Sequence, residues 1–416
     1  MRKNFILSLL SASAKVLGGV GLLAVLARVF PLSDFGVFTY SLTFATVLAL
    51  VIDYGYNLKL LNDISKDPTE MGRLVTCSVL IKLLLFITIL GVFYTTSQLF
   101  QLNNITPAFV IYLFVGLTAF SLINSFLSAF KSTSRYDLDA LVVVFDNFFT
   151  LLITVIIAFI TEDLGSTTIA FGSSKLASLV FSSVIFAKRY KFERVTYQMI
   201  LKDLKLTFPF AIHYIIGNLY LNIDTLVINN YVEESQLGIY QAGIRIVIGS
   251  GILLTVANSL YMPILSSSFY NKTSCFQTNA RQLNAMLLKL GMVFLILSNF
   301  FSEEIILLVF GSKFMELDSF FWVFTLIIFI RTLGVSYGML LTVSKNQYYR
   351  ALFGILSVVL IVGLDVLVVP SFGLYGAALI LLFGHLILNS LYLLICYREF
   401  SSIFVPTTKQ LFSLKL

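Results

Sequence analysis

The sequence is short of charge. Only 12% of its 416 residues are Asp, Glu, Lys or Arg, about half the share of an ordinary soluble domain. Of all residues, 58% are hydrophobic and 15% aromatic, and the mean hydropathy is +0.94. This balance excludes a soluble globular enzyme and indicates a polytopic membrane protein. Cysteine is scarce as well: Cys77, Cys275 and Cys396 are odd in number and far apart, which argues against a disulfide framework or a thiolate metal site. The two histidines, His213 and His385, are too few and too separated for a usual metal centre. No GxxxxGK[ST] loop is present, so ATP hydrolysis by this chain is not expected. Alternating strands of ~10 residues, the mark of a transmembrane barrel, are missing too. No metal and no cofactor are expected.

What is present is a succession of apolar runs of about 20 residues, long enough to cross a hydrocarbon core as helices. We place twelve, near 4–30, 36–58, 74–97, 107–130, 138–160, 166–187, 206–230, 237–268, 283–301, 319–343, 351–369 and 373–397. The expected fold is an all-α polytopic membrane protein. Arg2, Lys3 and the Ala12-Ser13-Ala14 triplet imitate a secretory signal. The apolar stretch before that triplet is short and resumes after it, so an uncleaved first membrane helix is the reading. Segment 237–268 exceeds what a bilayer needs, and Pro263 is the expected place of a break.

Lysine and arginine fix an orientation. Nineteen of them fall in one set of alternating segments, including the run from Lys188 to Lys205, against Lys313 alone in the other. The positive-inside bias then puts both termini in the cytoplasm and accounts for the net charge of +7 without nucleic acid. Lys59, Lys82 and Lys289 lie toward cytoplasmic helix ends and can snorkel. The basic stretch also halves the chain, into residues 1–190 with helices 1–6, a linker over 191–205, and residues 206–416 with helices 7–12. Leu32-Ser33-Asp34-Phe35-Gly36 and Glu234-Ser235-Gln236-Leu237-Gly238 echo one another at an offset of 202. Both precede a long helix, and six helices per half make the halves parallel repeats.

Several charges remain inside the apolar runs. Lys15, Lys175, Arg245 and Arg331 are nine to twelve residues from a helix end, which at 1.5 Å per residue is near mid-membrane. Arg28 is at the outer end of helix 1. The acids Asp53, Asp146, Asp224 and Asp365 are also within helices. Intramembrane charge is costly and marks function by default. A packing pair such as Lys175 with Asp146 is the bland reading. The functional one is a cation-lined cavity between the halves, with Lys15, Arg28 and Lys175 from the first and Arg245 and Arg331 from the second. Such a cavity suits an anion, and arginine grips phosphate through paired hydrogen bonds. On helix 7, His213, Gly217, Tyr220 and Asp224 recur at steps of 4, 3 and 4 and align along one stripe. Beside them, Asn218, Asn222 and Asn229 form a neighbouring arc. Amides and a ring can meet sugar hydroxyls and faces; bonding between helices is the plainer alternative. Asp53 is a candidate gate, ion site or packing partner, and Asp224 a candidate for a coupling H⁺ or Na⁺.

Six stretches carry a family likeness: Leu26-Ala27-Arg28-Val29 with Asp34-Phe35-Gly36; Asp53-Tyr54-Gly55; Phe208-Pro209; Asn222-Ile223-Asp224; Leu237-Gly238-Ile239-Tyr240; and Phe310-Gly311-Ser312-Lys313-Phe314. In this order over twelve helices, the chain resembles a polysaccharide-export flippase of the Wzx type, within the multidrug/oligosaccharidyl-lipid/polysaccharide exporter superfamily. The resemblance implies two six-helix lobes around a central cavity in the bacterial cytoplasmic membrane. It implies an undecaprenyl-pyrophosphate-linked glycan as substrate, for O-antigen, capsule or another surface polysaccharide. That substrate would move to the outer leaflet by alternating access driven by an ion gradient. The bilayer is then a partner, as are the polymerase and chain-length regulator of such a pathway. A drug or cation antiporter of the same superfamily is the nearest alternative, disfavoured by the excess of buried bases. A lipid II flippase would have two further helices, and a membrane O-antigen polymerase would want long outer loops, whereas the longest here spans 302–318.

Overall fold

The computed structural model describes residues 2–100, 106–270, 275–344 and 346–404. Lys272, Lys345, Lys409 and Lys415 of the loop-charge reading lie outside the described residues. Fifteen helices follow one another, and no strand occurs among the described residues. They are α1 (Arg2–Val29), α2 (Leu32–Asp53), α3 (Tyr56–Lys66), α4 (Met71–Phe100), α5 (Pro107–Ser132), α6 (Tyr136–Thr161), α7 (Leu164–Ala187) and α8 (Tyr197–Leu219). Then come α9 (Ile223–Ile228), α10 (Glu234–Gly249), α11 (Gly251–Tyr270), α12 (Cys275–Phe300), α13 (Ser302–Val309), α14 (Asp318–Val343) and α15 (Gln347–Phe404).

Nine helical runs among the described residues are long and apolar enough to cross a membrane. One of them is α15, whose 58 residues would reach about 87 Å if straight, nearly three bilayer cores. It does not run straight: Gly373, at φ 55°, leaves the helical region and divides it. Counting that run twice, and adding α8 with α9 and α10 with α11, gives the twelve crossings read from the sequence.

The breaks fall inside the expected membrane segments. The second expected helix is interrupted by Tyr54 (φ 46°) and Gly55 (φ 70°), both left-handed, and α3 then extends it to Lys66. The seventh starts earlier, at Tyr197, and is broken at 220–222. The eighth breaks at Ser250 and not at Pro263, which α11 carries inside it. Membrane helices tolerate proline because neighbouring groups satisfy the freed carbonyl. The expected outer loop 302–318 is largely helical, with α13 and a 3₁₀ turn over Ser312–Leu317. Asp163 caps α7: it accepts the Ser166 backbone N–H at 2.6 Å, and that bond holds its carboxyl below the usual range.

The chain packs as two compact units, Met1–Gln241 and Ala242–Leu416. The first has a core of α3, α4, α5, α6 and α7 side chains, with Tyr56, Phe130, Val142 and Phe186 within it. The second is centred on Leu265, Leu283, Leu287, Leu340 and Cys396 of α11, α12, α14 and α15.

In the first unit the two echoing pentads touch. A Cβ on Gly36 would collide with the Glu234 carbonyl, and one on Gly238 would fall 2.8 Å from the Leu32 carbonyl and 3.2 Å from the Gly36 nitrogen. Small residues let membrane helices approach backbone to backbone, and both repeats use a glycine here for that purpose. Gly36→Val is therefore expected to force α2 and α10 apart and to cost about 1–3 kcal/mol. A thermal melt of the detergent-solubilised protein reads this directly, and an unchanged midpoint would refute the close contact.

Candidate functional site

Lys15 and Lys175 come together in the first unit. Their ammonium groups sit 6.0 and 5.0 Å from the centroid of the Phe120 ring on α5, within the range of a cation–π attraction. Lys175 donates to Asp146 Oδ2 at 2.8 Å, and both residues are buried. The pairing considered as the bland alternative is thus present, with Lys15 as an additional positive charge beside it. Below it, buried Asp139 accepts from Ser11 at 3.0 Å and lies 3.5 Å from Lys131.

Asp146 shares a face of α6 with Thr150 and Thr154, at steps of four. The second Asp146 oxygen, both threonine hydroxyls and Ser178 of α7 are buried with no hydrogen-bond partner among the described residues. Interior polar groups of this kind are ordinarily satisfied by water. A wet polar seam inside the helical bundle fits them.

Arg28 is exposed in the last turn of α1, where a cation complements the helix dipole. Arg245 and Arg331 belong to the second unit, both half-buried. Arg331 Nη1 donates to the Val247 carbonyl at 2.9 Å, which puts it against α10 two residues beyond Arg245.

Asp53 is the last residue of α2 and is buried. It accepts from Ser121 Oγ at 2.5 Å, Tyr214 Oη at 2.8 Å, Lys82 Nζ at 3.3 Å and Asn57 Nδ2 at 3.4 Å. Lys82 also donates to the Ser121 carbonyl at 2.7 Å and is fully buried. Lys59 is buried on Asp203, which Tyr56 Oη reaches at 2.9 Å. Neither lysine snorkels, because each has a carboxylate at hand within the bundle. Sequence reasoning missed Lys82, Ser121, Tyr214 and Asp203. The available signal was the demand of a buried Asp53 for a counter-charge, but Lys82, on α4, reads in the sequence as a lysine toward a helix end that can snorkel instead.

The stripe on helix 7 does not survive as one line. Tyr220 closes α8, and Asp224 lies beyond the break on α9. Asn218 and Asn222 donate their amides to the Tyr214 and Asn218 carbonyls, at 2.7 and 2.9 Å, so those donors are committed to their own chain. Asp224 is buried and accepts from Tyr240 Oη at 2.5 Å. The His213 side chain lies outside the described residues.

Buried cations, polar seams and broken helices thus lie on an all-α scaffold with membrane-length helices, and comparison with known proteins identifies its fold and family. The fold matches an inward-facing multidrug resistance MATE family transporter of the MOP superfamily, at TM-score 0.76 and 14% identity, over 93% of this chain and 94% of that one. It equally resembles the lipid II flippase MurJ in an inward closed conformation, at TM-score 0.73 and 15% identity, over 96% and 90%. In sequence, residues 1–269 match the family described as "Polysaccharide biosynthesis protein", and the chain belongs to that family. A curated relative, the capsular polysaccharide biosynthesis protein CapF of Staphylococcus aureus, is 24% identical over 177 residues. That match spans 42% of this chain and 44% of the relative's length.

Proposed function

We propose that the chain flips an undecaprenyl-pyrophosphate-linked oligosaccharide from the cytoplasmic to the outer leaflet of the bacterial cytoplasmic membrane. The observation that supports this best is the set of cations inside apolar helices. Lys15 and Lys175 gather around Phe120, and Arg331 lies beside the helix that carries Arg245. A pyrophosphate needs such charges, and a cationic drug is repelled by them. On this reading Lys15, Arg28, Lys175, Arg245 and Arg331 are the residues that meet the pyrophosphate. Both termini are cytoplasmic. An H⁺ or Na⁺ gradient drives the cycle, with Asp53 and Asp224 as the candidate carboxylates. The glycan then passes to a polymerase and chain-length regulator.

The test is reconstitution into liposomes with a fluorescent polyprenyl-pyrophosphate oligosaccharide. Gradient-dependent movement between leaflets is expected, without uptake of a lipophilic cationic dye. Dye uptake without movement of the lipid-linked sugar would instead establish the antiporter reading.

A further inference from the structure

Two of the family-like stretches, Asp53-Tyr54-Gly55 and Phe208-Pro209, meet in space. Tyr54 and Gly55 are consecutive left-handed residues, so α2 and α3 are joined by two units of backbone outside the helical region. A Cβ on Gly55 would lie 2.5 Å from the carbonyl carbon and oxygen of Phe210 and 2.8 Å from the Ala211 nitrogen. Those atoms follow Pro209, the one residue of α8 that cannot donate back to the turn before it. A joint in one helix is thus seated, backbone on backbone, on the weak point of another.

Side chains bridge the same two elements on both sides of the joint. Before it, Asp53 Oδ2 accepts from Tyr214 Oη at 2.8 Å. After it, Tyr56 Oη and Lys59 Nζ both donate to Asp203. Lys59 and Asp203 are 3% and 6% exposed. Lys59 has a second acid in reach: Asp63, one turn along α3, lies 3.3 Å from its ammonium. If α8 withdraws, the lysine keeps a partner within its own helix, so the pair has two arrangements available and not one.

We propose that the α2–α3 joint and the Pro209 turn of α8 form a paired hinge, held shut by a Lys59–Tyr56–Asp203 clasp whose release opens a cytoplasmic passage for a phosphate headgroup. The identity of the headgroup rests on the flippase reading above; the clasp does not. Hinges of this kind are a few element-terminal residues that absorb the backbone change, and α3, at eleven residues, is a short arm for them to swing.

A native reporter sits behind the clasp. Cys77 of α4 is fully buried and within electrostatic reach of Lys59 and Asp203. With Cys275→Ser and Cys396→Ser as background, N-ethylmaleimide labelling of Cys77 in inverted membrane vesicles reads the passage. Asp203→Asn and Lys59→Met are each expected to raise the labelling rate at least tenfold, and Tyr56→Phe, which leaves the ion pair, severalfold. Asp203→Glu, which keeps the charge, should stay near the parental rate. Parental labelling in both Asp203→Asn and Tyr56→Phe would overturn the clasp. Undecaprenyl pyrophosphate should raise labelling of the background protein severalfold, and undecaprenol should not. If the clasp variants behave as stated but neither lipid has an effect, the headgroup assignment falls while the clasp stands.

Discussion

Lys82→Met is expected to destabilise the protein by about 3–5 kcal/mol, the cost of leaving one member of a buried pair without its counter-charge. Methionine nearly matches the lysine stem in length, so little apolar burial is lost and the effect is electrostatic. Asp53 would keep Ser121, Tyr214 and Asn57 as donors, but neutral hydroxyls and an amide do not replace an ammonium. The Ser121 carbonyl also loses its lysine donor. The double change Lys82→Met with Asp53→Asn should recover most of the loss, since no charge is then left buried. Thermal unfolding of the three variants in one detergent measures this. A single mutant as stable as the parent, or a double mutant no better than the single, would show that the pair is dispensable.

The helices themselves were legible because membrane spans are written as long apolar runs, and such runs need no tertiary context. The joints were not. Tyr54, residues 220–222 and Ser250 lie inside the expected membrane segments beside polar residues or glycines that a helix can carry, and the break depends on what packs against them. Pro263 carried the strongest local signal and broke nothing. For the charges, sequence position gave depth but not partners. Lys175 with Asp146 was foreseeable because each is the mid-membrane charge of adjacent helices. Lys82 with Asp53 was not, because a lysine toward a helix end has a cheap alternative in snorkelling. Only the placement of α4 beside the end of α2 removes that alternative. The pentad echo was visible as text, whereas the glycine-to-glycine contact it encodes was not.

Arg331→Ala is expected to reduce export of surface glycan at least tenfold while the protein still inserts in the membrane. Arg331 bears on two tasks. Val247 is in the last turn of α10, where carbonyls lack intrahelical donors, and its oxygen accepts from Ser250 Oγ at 2.7 Å as well as from the guanidinium. Arg331 therefore ties α14 to the end of α10 with one N–H, and on the proposed function the rest of its planar fork meets a phosphate. Alanine removes both functions. Lysine retains the charge but carries a compact ammonium on a flexible stem, which reaches the carbonyl or a phosphate less well than a fork serves both. Intermediate export is thus expected for Arg331→Lys, between the parent and the alanine variant. Complementation of a flippase-null strain, with membrane immunoblots to equalise expression, separates the cases. Full export by Arg331→Ala would remove this arginine from the transport site. Equal failure of the lysine and alanine variants would mean that the fork geometry, not the charge, is what the substrate requires.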